Sequence, residues 1–228
     1  MSGYTREEII AKAIAASTEM SLFYKKEFIN YRGNTTDSNE PYTEVICEWL
    51  LDNFELLDQI PQITRNSTYF VKSHDGIPPN IDTTREEELI AMALFRQKSF
   101  GSVGEIIDYQ TPLKNKREDK AGKIDLLAYD GDRIRILELK EPESKETMLR
   151  CILEGYTYLK TVDEHKLKID FGFSETANIS AHPLVFFGRE QHQEMFQNRP
   201  HLKKLIKLLD TKPMYVNYLN NEYVIMEG

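Results

Sequence analysis

The sequence predicts a mixed α/β protein, and three observations carry that prediction. Apolar residues recur at helical spacing in several segments, as in Ile9, Ala13 and Ile14, or Met148, Ile152, Leu153 and Tyr156. Other segments are short β-favouring runs, among them 103–110, 123–129, 133–140 and 183–187. Between two of these runs stands Asp130-Gly131-Asp132, the signature of a tight turn joining antiparallel strands.

The elements follow in order. Residues 5–29 read as one helix that opens on a Thr5/Glu8 capping box. A polar loop, 31–40, leads to a second helix after Pro41, with Val45, Ile46, Trp49 and Leu50 as core. Residues 57–82 are an irregular connection with one β-like piece, 68–72. The next helix, 84–98, carries a second capping box, Thr84/Glu87. Three strands follow, at 103–110, 123–129 and 133–140. Pro142 ends the third strand, and Ser144 is placed to cap a helix over 145–161. Residues 183–187 form a further buried strand. Residues 190–210 form a helix interrupted at 198–200. The tail, 214–226, alternates around Asn220-Asn221 as a β-hairpin that either extends the sheet or serves as a homodimer edge. The division is a helical N-terminal extension, 1–82, and a core of 83–228.

Composition narrows the function. With 40 % hydrophobic and 29 % charged residues, the chain has ample material for a globular core. No apolar run approaches the roughly 20 residues needed to span a membrane, and the N-terminus has no signal-peptide pattern. Cys47 and Cys151 are too few for a metal framework and read as reduced core thiols of a cytoplasmic protein. The formal net charge of −8 counts against a protein that coats nucleic acid, but does not exclude a nuclease with a local basic patch.

The chemistry concentrates in the hairpin. Asp125 interrupts an apolar strand, where a carboxylate without a partner is costly. Glu138 and Lys140 are two apart at the end of the next strand and so point to one face. With a turn at 130–132, position 125 lies opposite 137 or 138. Two carboxylates brought together there repel unless a cation lies between them. Hard oxygen ligands suit Mg²⁺, with Mn²⁺ as a substitute. An adjacent lysine can orient or deprotonate an attacking water.

Asp125 followed by Glu138-Leu139-Lys140 after an apolar strand resembles the PD-(D/E)xK nuclease superfamily, across residues 83–190. Other Glu-x-Lys triplets exist at 118, 143 and 164. Only that at 138 has an apolar centre, a preceding apolar strand and an aspartate on the hairpin partner. The resemblance implies a restriction-endonuclease-like core of helix, three strands, helix and strand, with Mg²⁺-dependent hydrolysis of nucleic acid, DNA being the expected polymer. It implies Asp125 and Glu138 as metal ligands, joined by the Leu139 carbonyl and by Glu87 on the first core helix. Glu87 serves equally as a helix-capping residue. Lys140 would serve the attacking water. The family's second core helix often lends a glutamine or a basic residue to the site. No glutamine stands there, which leaves Lys145 and Arg150, although Arg150 also suits a surface pair with Glu154. The basic loop with Lys114, Lys116, Arg117 and Lys123 is a solvated surface or a clamp on the phosphate backbone. Two alternatives stay open: a binding or regulatory protein of the same fold with a vestigial metal site, and a structural protein of unrelated origin.

Overall fold

The computed structural model describes residues 3–77, 85–101 and 103–228. The chain is mixed α/β, built on one seven-stranded sheet whose strands lie in sequence order. The strands are β1 (Ser99–Phe100), β2 (Gly104–Pro112), β3 (Lys123–Tyr129), β4 (Arg133–Leu139), β5 (Asn178–Phe186), β6 (Met214–Leu219) and β7 (Glu222–Glu227). The pairs from β1 to β4 are antiparallel, β4–β5–β6 are parallel, and β6–β7 form the expected terminal hairpin. The helices are α1 (Arg6–Ala16), α2 (Tyr42–Asp52), α3 (Glu86–Gln97), α4 (Met148–Thr161), α5 (Glu164–Phe171), α6 (Glu190–Glu194) and α7 (Pro200–Leu208).

The sheet is nearly closed, which the sequence did not suggest. Gln97, at the end of α3 and just before β1, donates from Nε2 to the Tyr223 carbonyl (2.7 Å). Its Oε1 accepts from the Tyr223 amide (2.9 Å). One side chain of α3 thus satisfies backbone groups of Tyr223 on β7, blunting an edge open to further pairing.

Both faces of the sheet are buried. On β4 the alternation is clean: Ile134 and Ile136 pack with α4 and the N-terminal helices, whereas Leu137 and Leu139 pack beneath α3. The first of these clusters runs without a break from Ile9 through Leu50 to Leu113, Ile152 and Leu205. The N-terminal segment therefore shares one core with α4 instead of building its own.

Several boundaries differ from expectation for identifiable reasons. The 5–29 helix ends at Ala16 and continues as two 3₁₀ segments, Ser17–Lys25 and Glu27–Asn30. Ser17 and Thr18 donate their hydroxyls to the Ile14 and Ala15 carbonyls, competing for the helix's last acceptors. Glu19 then leaves helical geometry altogether. The Thr5/Glu8 capping box forms as read. The 68–72 piece joins no strand. Arg65 holds the Thr68 carbonyl and the Asp170 carboxylate takes the Tyr69 amide, so side chains replace a ladder. Thr84 lies outside the described residues, and with it the second capping box. α4 starts at Met148 because Thr147, not Ser144, accepts the Arg150 amide (3.2 Å). Asp163 begins a further helix, α5, as its N-cap. Cys47 and Cys151 are both buried and free. Among the described residues no helix is long and apolar enough to cross a membrane.

Candidate active site

The β3–β4 register pairs Leu126 with Leu137, which carries Asp125 to the level of Glu138. Asp125 is fixed from both sides. Its Oδ2 accepts the Leu139 amide (3.0 Å) and its Oδ1 accepts Gln110 Nε2 (2.9 Å). Gln110 has a left-handed backbone (φ 50°), a conformation uncommon outside glycine, and lies on β2 between pairing positions 109 and 111. Strain of this kind is retained where neighbouring structure over-determines it. Here the glutamine side chain is aimed at a carboxylate.

Glu138 and Lys140 are both nearly inaccessible, at 3 % and 5 % exposure. Lys140 Nζ lies 2.8 Å from Glu138 Oε1, 3.1 Å from Glu154 Oε2 and 3.1 Å from Glu146 Oε2. Glu154 comes from the middle of α4. Its other oxygen accepts the Tyr158 hydroxyl (2.9 Å), which lies 3.4 Å from the hydroxyl of Tyr24 in the N-terminal segment. α4 packs closely on β4 here: a Cβ built on Gly155 would lie in ordinary contact with Glu138 Cβ, at 3.5 Å. Glu87, on the first turn of α3, accepts the Glu141 amide (3.3 Å).

The electrostatics follow from burying several carboxylates around one ammonium. Burial pushes the Asp125 carboxyl up to about 7. Lys140 opposes this shift, and the charges of Glu87 and Glu154 add to it. Burial, then the neighbouring Asp125, pushes Glu138 well above the usual carboxylate range. Burial alone would lower the Lys140 ammonium, but Glu138 and Glu154 outweigh it and hold the group firmly protonated. Burial also acts against the Glu154 carboxylate. Lys140 and the hydrogen bonds it receives bring it below its ordinary value. Glu87 is raised by burial, with Lys140 opposing.

Asp125, Lys140, Glu87 and Gln110 open onto a cavity of about 520 Å³. Its wall also carries Glu86, Glu88, Glu141 and Glu146 against Arg85 and Lys145, so the cavity is acidic. Such a wall draws cations, and it repels a bare phosphate unless a cation lies between.

The donor set fits a divalent cation in one definite respect. Glu138 Oε2 is buried without a hydrogen-bond partner, beside an aspartate whose charge it resists. Among the described residues, no three His, Cys, Asp or Glu side chains already stand together in metal-holding geometry. Lys140 takes up the glutamates instead.

Of the residues expected at the site, Asp125, Lys140 and Glu87 line the cavity, and Glu138 is buried and bonded to Lys140. Leu139 meets Asp125 through its amide. Lys145 reaches the cavity from a loop and pairs with Glu190 (2.9 Å). Arg150 does not pair with Glu154; its Nε lies 2.7 Å from Glu146. Lys114, Lys116, Arg117 and Lys123 are exposed and lie outside the cavity wall. Part of their loop is closed on itself by Asp119, which accepts the Asn115 and Lys116 amides.

Sequence reasoning missed Gln110, Glu146, Glu154 and Tyr158. A signal existed for two of them: Glu154 and Tyr158 fall in helical phase with the buried Cys151 and Thr161. No family model, curated protein or solved structure matches this chain.

Proposed function

We propose that this protein is a metal-dependent nuclease of the restriction-endonuclease-like kind, acting on DNA. The observation that carries this reading is the convergence of Asp125 and Glu138 from adjacent strands with Lys140 on the same face. From α3 to β5 the order is one helix, four strands, two helices and a strand, which contains the expected helix, three strands, helix and strand with the short β1 and α5 added, and the acidic cavity supports the reading as well.

In this reading Asp125 and Glu138 hold Mg²⁺, which supplies Lewis-acid polarisation of the scissile phosphate and lowers the pKa of a water. Lys140 serves as an ammonium. It donates to a water or a phosphate oxygen and has no lone pair to take a proton, so positioning replaces the deprotonating role that the sequence left open. Gln110 and the Leu139 amide orient Asp125. Glu154, steadied by Tyr158, orients Lys140.

A second reading has one observation in its favour. Lys140 is buried among three carboxylates, as a purely structural ion network would place it. That reading makes the protein a non-catalytic binding or regulatory module. Cleavage assays on DNA and RNA with Mg²⁺ or Mn²⁺, run beside calorimetric metal titration, separate the two. Nuclease action requires metal-dependent cleavage that Lys140→Ala abolishes and metal binding that Asp125→Ala abolishes. Cleavage unchanged in Lys140→Ala would sink the assignment.

A further inference from the structure

A second polar cavity, of about 530 Å³, opens at the opposite end of the sheet beside the first residues of β4 and β5. Arg133 and Leu139 are six residues apart on β4, so at about 3.3 Å per residue this cavity lies about 20 Å from the candidate active site. Its polar side chains are in register. Arg133 pairs with Asn178, Arg135 with Ser180 and Leu137 with His182 across the parallel β4–β5 ladder. Alternate positions share a face, so the first two pairs and His182 stand on one side of the sheet.

The cavity gathers cations in a chain whose net charge is −8. Arg133, Arg135 and Lys212 all line it. Arg133 and Lys212 are exposed and form no ion pair among the described residues. Arg135 is buried and pinned through Nη1, which lies 2.7 Å from Asp130 Oδ2 and donates to the Val103 carbonyl (3.1 Å). Among the described residues its Nε and Nη2 have no acceptor. A buried guanidinium fixed at one end is pre-organised for a planar, bidentate anion.

His182 frees a further donor, the Ser180 hydroxyl. Its Nδ1 accepts the Lys212 amide (3.0 Å), a better contact than the 3.2 Å approach of the Lys212 carbonyl to the same atom. The ring proton then sits on Nε2 and is donated to Ser180 Oγ (2.8 Å), which leaves the serine hydroxyl its own proton to donate. Burial pulls His182 down to about 4, so the ring is neutral and this arrangement holds at neutral pH.

The cavity also contains Asp210 and Glu227. These acceptors disfavour a bare polyanion and suit a ligand bearing hydroxyls beside its anionic group. The volume falls in the range of small-molecule sites. We infer that this cavity binds a sugar phosphate, free or within a nucleotide. Arg133, Arg135 and Lys212 hold the phosphate, and Asp210 and Glu227 accept from the sugar hydroxyls. The site is independent of the nuclease reading.

The test is calorimetric titration of the full chain in EDTA with ribose 5-phosphate, AMP and inorganic phosphate. Two proteins are compared: wild type, and the double variant Arg133→Gln/Lys212→Gln, whose positions are exposed and spare the core. Far-UV circular dichroism verifies the fold of the variant. The expected result is binding of ribose 5-phosphate or AMP that is at least tenfold weaker in the double variant and unchanged in Asp125→Ala. Tighter binding of AMP assigns a nucleotide; equal binding assigns the sugar phosphate alone. Failure of both organic phosphates to bind, binding that the double variant retains in full, or binding of inorganic phosphate alone would overturn the inference.

Discussion

Lys140 Nζ lies 3.1 Å from Glu154 Oε2, joining the end of β4 to the middle of α4 by a buried ion pair. The ammonium shares itself with Glu138 and Glu146 as well. One cation thereby stands among three carboxyl groups that would otherwise repel.

Removing the cation leaves buried carboxylates uncompensated. Lys140→Met should lower stability in urea by about 3–5 kcal/mol near neutral pH. Divalent metal should restore part of the loss if Asp125 and Glu138 bind it. A metal-free variant as stable as wild type would mean that the network contributes nothing net.

Removing Glu154's charge is milder, because Lys140 keeps two partners. Glu154→Gln should cost about 1–3 kcal/mol. Under the nuclease reading it should also slow metal-dependent cleavage at least tenfold, through misplacement of Lys140. Full activity in a destabilised variant would assign Glu154 a structural role alone.

The Asp125 carboxyl, raised to about 7 in the fold, titrates at its ordinary low value in the unfolded chain. Between those values the folded protein holds a proton that the unfolded chain has released. The carboxyl's contribution to stability is therefore complete at low pH and is lost as pH rises through about 7. Metal-free protein should show a lower Tm at about pH 8 than at about pH 6, once exposed groups are corrected for. Metal binding must release the proton, so Mn²⁺ affinity should rise over the same interval. Calorimetry at the two pH values measures both. A pH-independent affinity would refute the raised carboxyl.

Two glycines near the site should respond oppositely. A Cβ on Gly122 would clash with the Tyr158 hydroxyl and ring, so Gly122→Ala must displace the side chain that steadies Glu154. It should cost about 1–3 kcal/mol, as overpacking does. A Cβ on Gly155 would make only ordinary contacts, at 3.5 and 3.7 Å, within α4. Gly155→Ala should be neutral or stabilising, by up to about 1 kcal/mol, from helix propensity. Thermal denaturation of both variants compares them directly.

Much of this architecture was legible in the chain. The hairpin around Asp130-Gly131-Asp132 follows from turn chemistry, and its register follows from the turn. That brought Asp125 level with Glu138 and put Glu138 and Lys140 on one face, because strand side chains alternate with period two. The terminal hairpin followed from alternation about Asn220-Asn221.

What the sequence could not supply was everything set by packing between distant elements. Arg150 and Glu154 are one turn apart and make a plausible surface pair on paper. Only the docking of α4 on β4, close at Gly155, buries Glu154 against Lys140 and turns Arg150 to Glu146. The tie between α3 and β7 depends on Gln97 meeting Tyr223, 126 residues away. The second polar cavity depends on β4 and β5 pairing in parallel across the α4–α5 crossover. Local chemistry fixes turns, caps and faces because its interactions span a few residues. The protonation of Asp125, Glu138 and Lys140 is set by burial and by charges from four separate elements, which the tertiary structure alone brings within reach of one another.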